Sequence, residues 1–523
     1  MRIEKISVDT FRIGKVEADA LVIPVFKSEK PNTRFFKQLD LLSSGMVNRL
    51  FEAEEITGNV GETLYLLAPI HVCTEVISYD QGIPLYLSRY EGKRLMRWIF
   101  VGVGEQASYD FTTPGMAAAT ALRLIVKHRI SSCCVLVRDP DGRLEKDKVV
   151  RLIAEAVEMA PVDHDKYKKK EEKFIPTAVY IHLVESYLDD LAASTAIERG
   201  KIVAEAVNFA RELCVEPGST LNPVEFSRRV QAMAVENGLE FECYGEEQLK
   251  EMKMEALLAV ARGSEQPAQL MVIRYKGTED SVAPVAIVGK GVTFDSGGLC
   301  IKPRDAMWEM KMDMAGAATV AGTMLAVAKL RPKINVLGII PAVENLPSGS
   351  SYKPGDVLRA ASGKTIEVID TDAEGRLILA DAIHYANKYK PCCIIDLATL
   401  TGACVVALGT LRAALYSNDD DLKREILEAS KRAGEKMWPM PLDEDYSEMI
   451  KSDIADIKNL GGRGAGSITA AAFLKEFVDT TPWVHLDIAG TAWLEEHRPE
   501  MAKGPTGYGV KTLVEFLLSR SAS

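Results

Sequence analysis

The sequence predicts an α/β protein of two domains, each a mostly parallel or mixed sheet covered by helices, joined by a long helix. Three observations carry this. At 523 residues the chain is long enough for two or more domains. Short apolar runs alternate with segments of helical periodicity along its length. Between the two sets, Asp189–Cys214 is rich in Ala, Glu and Arg, lacks Pro, and reads as one helix stopped by Glu216-Pro217-Gly218. The expected divisions are 1–188, a linker helix over 189–216, and 217–523.

In the first domain, Ala20–Phe26 and Trp98–Val103 read as strands. A helix over Pro114–His128, a strand at Cys133–Val137, a helix near Leu144–Met159 and a strand over Ala178–Val184 follow. The charged run Asp163–Lys173 reads as a solvated loop. In the second domain the strand candidates are Val285–Val288, Ile334–Val343, Thr365–Ile369, Cys392–Leu397 and Val484–Ile488. Helices alternate with them at Gly316–Leu330, Leu377–Tyr389, Asp421–Glu435, Ser467–Val478 and Thr506–Ser519. Long apolar strands between helices argue for a mostly parallel sheet covered on both faces.

The net charge of −11 gives no general attraction to nucleic acid or to an anionic membrane. No apolar span of ~18 residues occurs, and Met1-Arg2-Ile3-Glu4-Lys5 lacks the apolar run of a signal peptide. The nine cysteines include the adjacent pairs Cys133-Cys134 and Cys392-Cys393, both in apolar runs, and form no CxxC. An odd count without that motif fits buried, reduced thiols in the cytoplasm.

The chemistry concentrates at Asp370-Thr371-Asp372-Ala373-Glu374-Gly375-Arg376, between a strand candidate and a helix candidate. That junction is where α/β folds place their sites. Asp372 and Glu374 are two apart, so in extended backbone they point to the same side. Two carboxylates at ~4 Å repel by about 4 kcal/mol at an effective dielectric of ~20, so positive charge is expected between them. A helix start favoured by the dipole explains one acid, not three with an arginine. The glycine-rich stretch Gly289–Lys302 presents Lys290, Asp295 and Lys302, and Asp313 opens the next helix. Asp313 alone would be an ordinary cap. Asp295, Asp313, Asp372 and Glu374 together, with no histidine among them, suit two divalent cations. Zinc accepts carboxylates, and Mn or Mg suits oxygen donors better still.

These stretches, with Pro341–Gly349, Tyr352–Asp356 and Asp396–Ala403, closely resemble the leucyl aminopeptidase (cytosol aminopeptidase) family. The resemblance covers nearly all of the second domain and is specific, while the first domain matches in outline. It implies a metal-dependent aminopeptidase that removes leucine and other N-terminal residues from peptides and amides through a metal-bridging hydroxide. By the same resemblance Lys290, Asp295, Asp313, Asp372 and Glu374 hold two metals, Zn and/or Mn with Mg or Co as alternatives. Lys302 polarises the scissile carbonyl and Arg376 holds a bicarbonate that acts as general base. Met310, Thr399, Leu400, Gly402, Ala489 and Ala492 line the substrate pocket. A cytoplasmic homohexamer is implied, with the N-terminal domain serving assembly or regulation, no membrane partner, and nucleic acid not the main partner. Asp370, Ala315 and Ala492 depart from residues frequent in the family.

Competing readings are a DNA-binding scaffold, which the acidic balance disfavours, and a dinuclear phosphohydrolase. Gly102-Val103-Gly104 imitates a dinucleotide fingerprint without a fitting βαβ unit. Gly461–Gly466 reads as a loop on the active-site side, and His485 as a satisfied structural histidine.

Overall fold

Runs rich in Val and Ile form the central strands, where β-branched side chains fit a sheet covered on both faces. The computed structural model describes residues 3–8, 18–73, 78–80, 83–85, 90–162, 164–169, 174–184, 186 and 188–521. Met1, Arg2, Asp163 and residues 170–173, included in the expectations above, lie outside them, and residues 166–169 are exposed. Contacts divide the chain into Met1–Ala204 with His497–Ala502, and Glu205–Glu496 with Lys503–Ser523.

The first unit holds β1 (Lys5–Val8), β2 (Ala20–Phe26), β3 (Thr63–Cys73), β4 (Tyr90–Gly104), β5 (Ser132–Val137) and β6 (Ala178–Leu183). Their order is β1-β6-β5-β2-β4-β3, parallel except for the β3–β4 pair. Helices α1 (Thr113–Lys127) and α2 (Lys146–Met159) bury Ala117, Ala121, Leu122, Val150 and Ile153 in the core that β2 and β5 share. Pro114 sits in the first turn of α1, where its missing N–H costs nothing. At the end of β4, a Cβ on Gly102 would lie 2.0 Å from the Asn59 carbonyl oxygen. The glycine admits the turn at 58–62, which explains the fingerprint-like sequence by packing. Helix α3 (Asp190–Val215) is continuous, and the division between the units falls inside it.

The second unit is built on a nine-stranded mixed sheet. Its strands are β7 (Glu240–Tyr244), β8 (Gln269–Lys276), β9 (Val285–Gly289), β10 (Gly291–Asp295), β11 (Asn335–Asn345), β12 (Cys393–Ala398), β13 (Ala413–Ser417), β14 (Met437–Pro439) and β15 (Trp483–Asp487). The order is β14-β13-β15-β12-β9-β11-β8-β7, with β10 continuing beside β11. From β15 through β11 the pairs are parallel, and β8 and β7 add an antiparallel edge. Helix α4 (Ala315–Leu330) is buried all round, as an Ala-rich helix without a polar face must be. It reaches the sheet at Gly316, where a Cβ would lie 2.1 Å from the Leu397 carbonyl oxygen. The unit also holds helices α5 (Glu374–Asn387), α6 (Asp420–Ala433), α7 (Gly466–Lys475) and α8 (Val510–Ser521). In α6, Asp419 caps the first turn by accepting from Leu422 N at 2.7 Å and Gly434 ends the helix in the left-handed region.

One expected strand of the main sheet belongs elsewhere. Thr365–Glu367 pairs with Val357–Arg359 and Ile457–Lys458 in a separate three-stranded sheet. Three residues with only Ile366 buried are too short and too polar for a doubly covered sheet. Cys133, Cys134 and Cys393 are buried as expected, but Cys392, just before β12, is exposed. Among the described residues no helix is long and apolar enough to cross a membrane.

His485 is only half satisfied. Its Nδ1 lies 2.6 Å from Asp396 Oδ1, whereas its buried Nε2 has no hydrogen-bond partner among the described residues. Asp396 Oδ2 also accepts from Trp483 Nε1 at 2.7 Å, and all three residues are fully buried. Asp396→Ala leaves two buried donors without an acceptor. It is expected to destabilise the fold by about 3 kcal/mol, read as a lowered urea midpoint at unchanged slope.

Candidate active site

Loops leaving the C-terminal ends of the parallel strands build the site. Lys290 follows β9, its backbone N–H donating to Leu397 O at 3.0 Å. Asp295 ends β10, Asn345 ends β11, Thr399 follows β12 and Asp487 ends β15. The chain then doubles back over 296–302. Ser296 Oγ donates to Asn345 O at 2.7 Å and Lys302 N to Ser296 O at 2.9 Å, returning Lys302 beside Asp295. Gly297, at φ +87°, makes the turn; a Cβ there would meet Asp372 Oδ1 at 2.8 Å.

Thr371 ties this loop to the acidic segment, its Oγ1 donating to Gly297 O at 2.7 Å and accepting from Cys300 N at 2.8 Å. Its carbonyl accepts from Asn345 Nδ2 at 2.9 Å and Tyr352 Oη at 2.7 Å. Asn345 also donates to Asp295 Oδ1 at 2.8 Å. Asn345, Tyr352 and Thr371 are parts of the site that the residue pattern did not single out, although they lie in the blocks that carry the resemblance.

Asp295, Asp372 and Glu374 each offer an oxygen within 4.8 Å of the other two. The reason differs from strand alternation: Asp372 lies in a turn and Glu374 is the first residue of α5. The positive charge expected between the acids is present. Lys290 Nζ lies 2.8 Å from both Asp313 Oδ2 and Glu374 Oε1, and donates to Thr399 O at 3.0 Å. Lys302 Nζ lies 2.7 Å from Asp295 Oδ2 and 2.5 Å from Asp372 Oδ1. Asp313 is thus no helix cap; Thr399 Oγ1 donates to its Oδ1 at 2.8 Å.

Four carboxylates against two ammonium groups leave a formal balance of −2. Glu374 and Asp295 are 1% exposed and Asp313 is 4% exposed, so water does little to screen it. Burial, then the nearby Asp295, pushes Asp372 up to about 7. Burial and Glu374 likewise raise Asp295, and burial raises Asp313 well above the carboxylate range. Glu374 meets the same burial, but Lys290 and Lys302 hold it low. Glu374 Oε2 and Asn345 Oδ1 are buried with no hydrogen-bond partner among the described residues. Excess negative charge, orphaned oxygens and an all-oxygen donor set with an amine fit divalent cations.

A family model, "Cytosol aminopeptidase family, catalytic domain", matches residues 208–514. The chain belongs to the cytosol aminopeptidase family. A "Probable cytosol aminopeptidase" of Solibacter usitatus is 41% identical over 520 residues, covering 99% of this chain and 100% of that protein. One from Koribacter versatilis is 40% identical, with 98% and 99% covered. Among solved structures, a mutant of tomato leucine aminopeptidase matches at TM-score 0.85 and 33% identity, covering 98% of this chain and 96% of that one. The bottromycin maturation enzyme BotP, in complex with Mn, matches at 0.78 and 30%, covering 96% and 100%. The protein is a hydrolase, an aminopeptidase, and its substrates are peptides.

In this aminopeptidase, Asp487 organises the segment after β12. Its Oδ1 accepts from Leu400 N and Ala489 N, each at 3.2 Å, and its Oδ2 from Thr401 Oγ1 at 2.7 Å and Ser467 Oγ at 3.1 Å. Leu400 and Ala489 are thereby held on one carboxylate oxygen, Thr399 lies beside Asp313 and Lys290, and Gly402 opens the short helix Gly402–Leu408. Met310 lies in the 3-10 turn Trp308–Met312, its carbonyl accepting from Asp313 N at 3.4 Å. Ala492 is buried, its N–H donating to Ile488 O at 2.9 Å.

Arg376, in the first turn of α5, is buried. Its Nη1 donates to Asn459 O at 2.7 Å, and its Nε has no hydrogen-bond partner among the described residues. Burial pulls its pKa down to about 10. Asn459, unforeseen from the sequence, also accepts from Ile369 N at 2.8 Å and donates to Asp370 O at 2.7 Å. The Asp370 carboxylate turns onto its own backbone, accepting from Asp372 N at 2.9 Å.

Proposed function

We propose that this aminopeptidase removes leucine and other residues from the free N-termini of peptides with the help of two divalent cations, Zn and/or Mn, in the second, catalytic unit. The buried cluster of four carboxylates and two lysines, with its excess of negative charge, carries the reading. Asp295, Asp372 and Glu374 would hold one cation; Lys290 and Asp313 would complete the second. Bound there, the cations supply Lewis-acid polarisation of the scissile carbonyl and a water of lowered pKa. Lys290 must shed its proton to serve as a ligand; an ordinary lysine would need about 4.6 kcal/mol at pH 7. Lys290 needs more before a cation binds, because against the effect of burial Asp313, Glu374 and Asp295 raise its pKa.

Lys302 remains an ammonium and donates to the oxygen that gains charge in the tetrahedral transition state. Its side chain is 16% exposed against 4% for Lys290, so it is the more accessible of the two lysines. Arg376 would hold a bicarbonate with its Nε, the planar fork suiting a bidentate anion. The Thr399–Gly402 segment, Met310, Ala489 and Ala492 would receive the N-terminal residue and its backbone. Homohexamer assembly, with the first unit serving assembly or regulation, and a cytoplasmic location belong to the same proposal.

Treatment with a chelator is expected to abolish hydrolysis of leucine p-nitroanilide, and Mn or Zn to restore it. Phosphate esters serve as the control substrate. Their turnover without any turnover of leucine amides or anilides would instead make the centre a phosphohydrolase.

A further inference from the structure

Away from the active site, Cys392 and Cys393 share a fixed guanidinium. Arg520 Nη1 lies 3.7 Å from Cys392 Sγ and 3.4 Å from Cys393 Sγ. This arginine is held from two other directions. Its Nε donates to Glu425 Oε2 at 2.7 Å, and its Cζ lies 4.8 Å from the centroid of the buried Phe516 ring. The two sulfurs differ in access: Cys393 is fully buried at the start of β12, whereas Cys392 is exposed. The Cys392 N–H donates to Pro284 O at 2.9 Å, which fixes the backbone that presents the thiol.

We propose that Cys392 is a reactive thiolate that takes up low-molecular-weight disulfides, with Cys393 and Arg520 holding its charge. The Cys392 sulfur attacks one sulfur of the incoming disulfide. A protein–ligand S–S bond forms as the original S–S bond breaks, and the other half leaves as a thiolate that takes a proton from water. Cys392 is oxidised, and the departing thiol is the reduced product. No other oxidant is needed.

The groups facing Cys392 are the Cys393 thiol beside it in the chain, Arg520 on α8 and, behind Arg520, Glu425 on α6. The neighbouring Cys393 thiol, then the guanidinium, outweigh burial and hold Cys392 at about 6, while the same neighbour effect raises Cys393. A free thiol titrates near 8.5. Lower basicity also makes a weaker nucleophile, with a slope of ~0.4–0.5 per unit. Combining the two, Cys392 should react roughly tenfold faster than a free thiol at about pH 6 and only about two- to threefold faster at pH 7. The pH profile is therefore the sharper readout. Cys392 lies at the opposite end of β12 from Thr399, about 20 Å along the strand, so Cys392→Ser keeps basal peptidase activity.

The test exposes the full-length protein to oxidised glutathione between about pH 5 and pH 9 and maps the adducts by peptide mass. The expected result is an adduct first at Cys392, with a half-maximal rate near pH 6. Cys392→Ser removes this fast phase, and Arg520→Gln moves its midpoint toward the free-thiol value. A Cys392 rate that rises only above about pH 8 in the folded wild type overturns the proposal. So does faster modification of Cys243, which is also exposed. The wild-type profile decides even where Arg520→Gln does not fold.

Discussion

Replacing Glu374 by alanine is expected to lower kcat/KM for leucine p-nitroanilide by at least about 10³-fold, which corresponds to ~4 kcal/mol of transition-state stabilisation. Glu374 is the most buried acid of the centre together with Asp295, and it joins the Lys290–Asp313 pair to the Asp295–Asp372 side. Its loss takes the formal balance from −2 to −1 and removes the orphaned Oε2, so cation binding weakens with catalysis. The fold should survive. Lys290 keeps Asp313 at 2.8 Å and the Thr399 carbonyl at 3.0 Å, and one of several mutually repelling carboxylates is gone. Glu374→Gln, which keeps the shape and loses the charge, should lose nearly as much activity. Melting curves without metal separate folding from chemistry, and elemental analysis reads the metal content. A well-folded Glu374→Ala enzyme that retains a tenth of wild-type turnover would sink the cation reading of this centre.

Much of this centre was legible in the sequence because acids and lysines stood at the ends of recognisable strands. Asp295, Lys290 and Glu374 could be picked out from residue type and from position after an apolar run. The geometric reason was not legible. Asp372 and Glu374 meet through a turn and a helix start, and what seats them is Thr371, gripped by Asn345, Tyr352 and Gly297. Those are polar residues whose partners lie far away in the chain, a relation that periodicity does not encode. Asn459 and the anchoring role of Asp487 are hidden for the same reason.

The fold divides along similar lines. The long doubly covered strands and the Ala-rich helix α4 announced themselves by composition. The edge strands β7 and β8 mix polar with apolar residues and escaped. Thr365–Glu367, read as part of a longer strand, has its pairing set by the distant Ile457–Lys458. The exposure of Cys392 likewise depends on where β12 begins, one residue beyond it.

Removing Lys302 should separate chemistry from metal binding. Lys302→Met is expected to lower kcat by about 10²–10³-fold, or ~3–4 kcal/mol, with KM changed little. The ammonium lies 2.7 Å from Asp295 and 2.5 Å from Asp372, and against the effect of burial Asp295, then Glu374, Asp313 and Asp372, raise its pKa, so it stays charged through neutral pH. Taking it away changes the formal balance from −2 to −3, which strengthens the attraction for dications. Metal content should therefore hold or rise while turnover collapses, the opposite pairing from Glu374→Ala. A Lys302→Met enzyme that loses metal along with activity would make the lysine a prop for the two carboxylates instead of a donor to the reacting oxygen. Lys302→Arg sharpens the distinction: its guanidinium restores the charge but not the compact donor geometry, so metal content should match wild type while kcat recovers only in part.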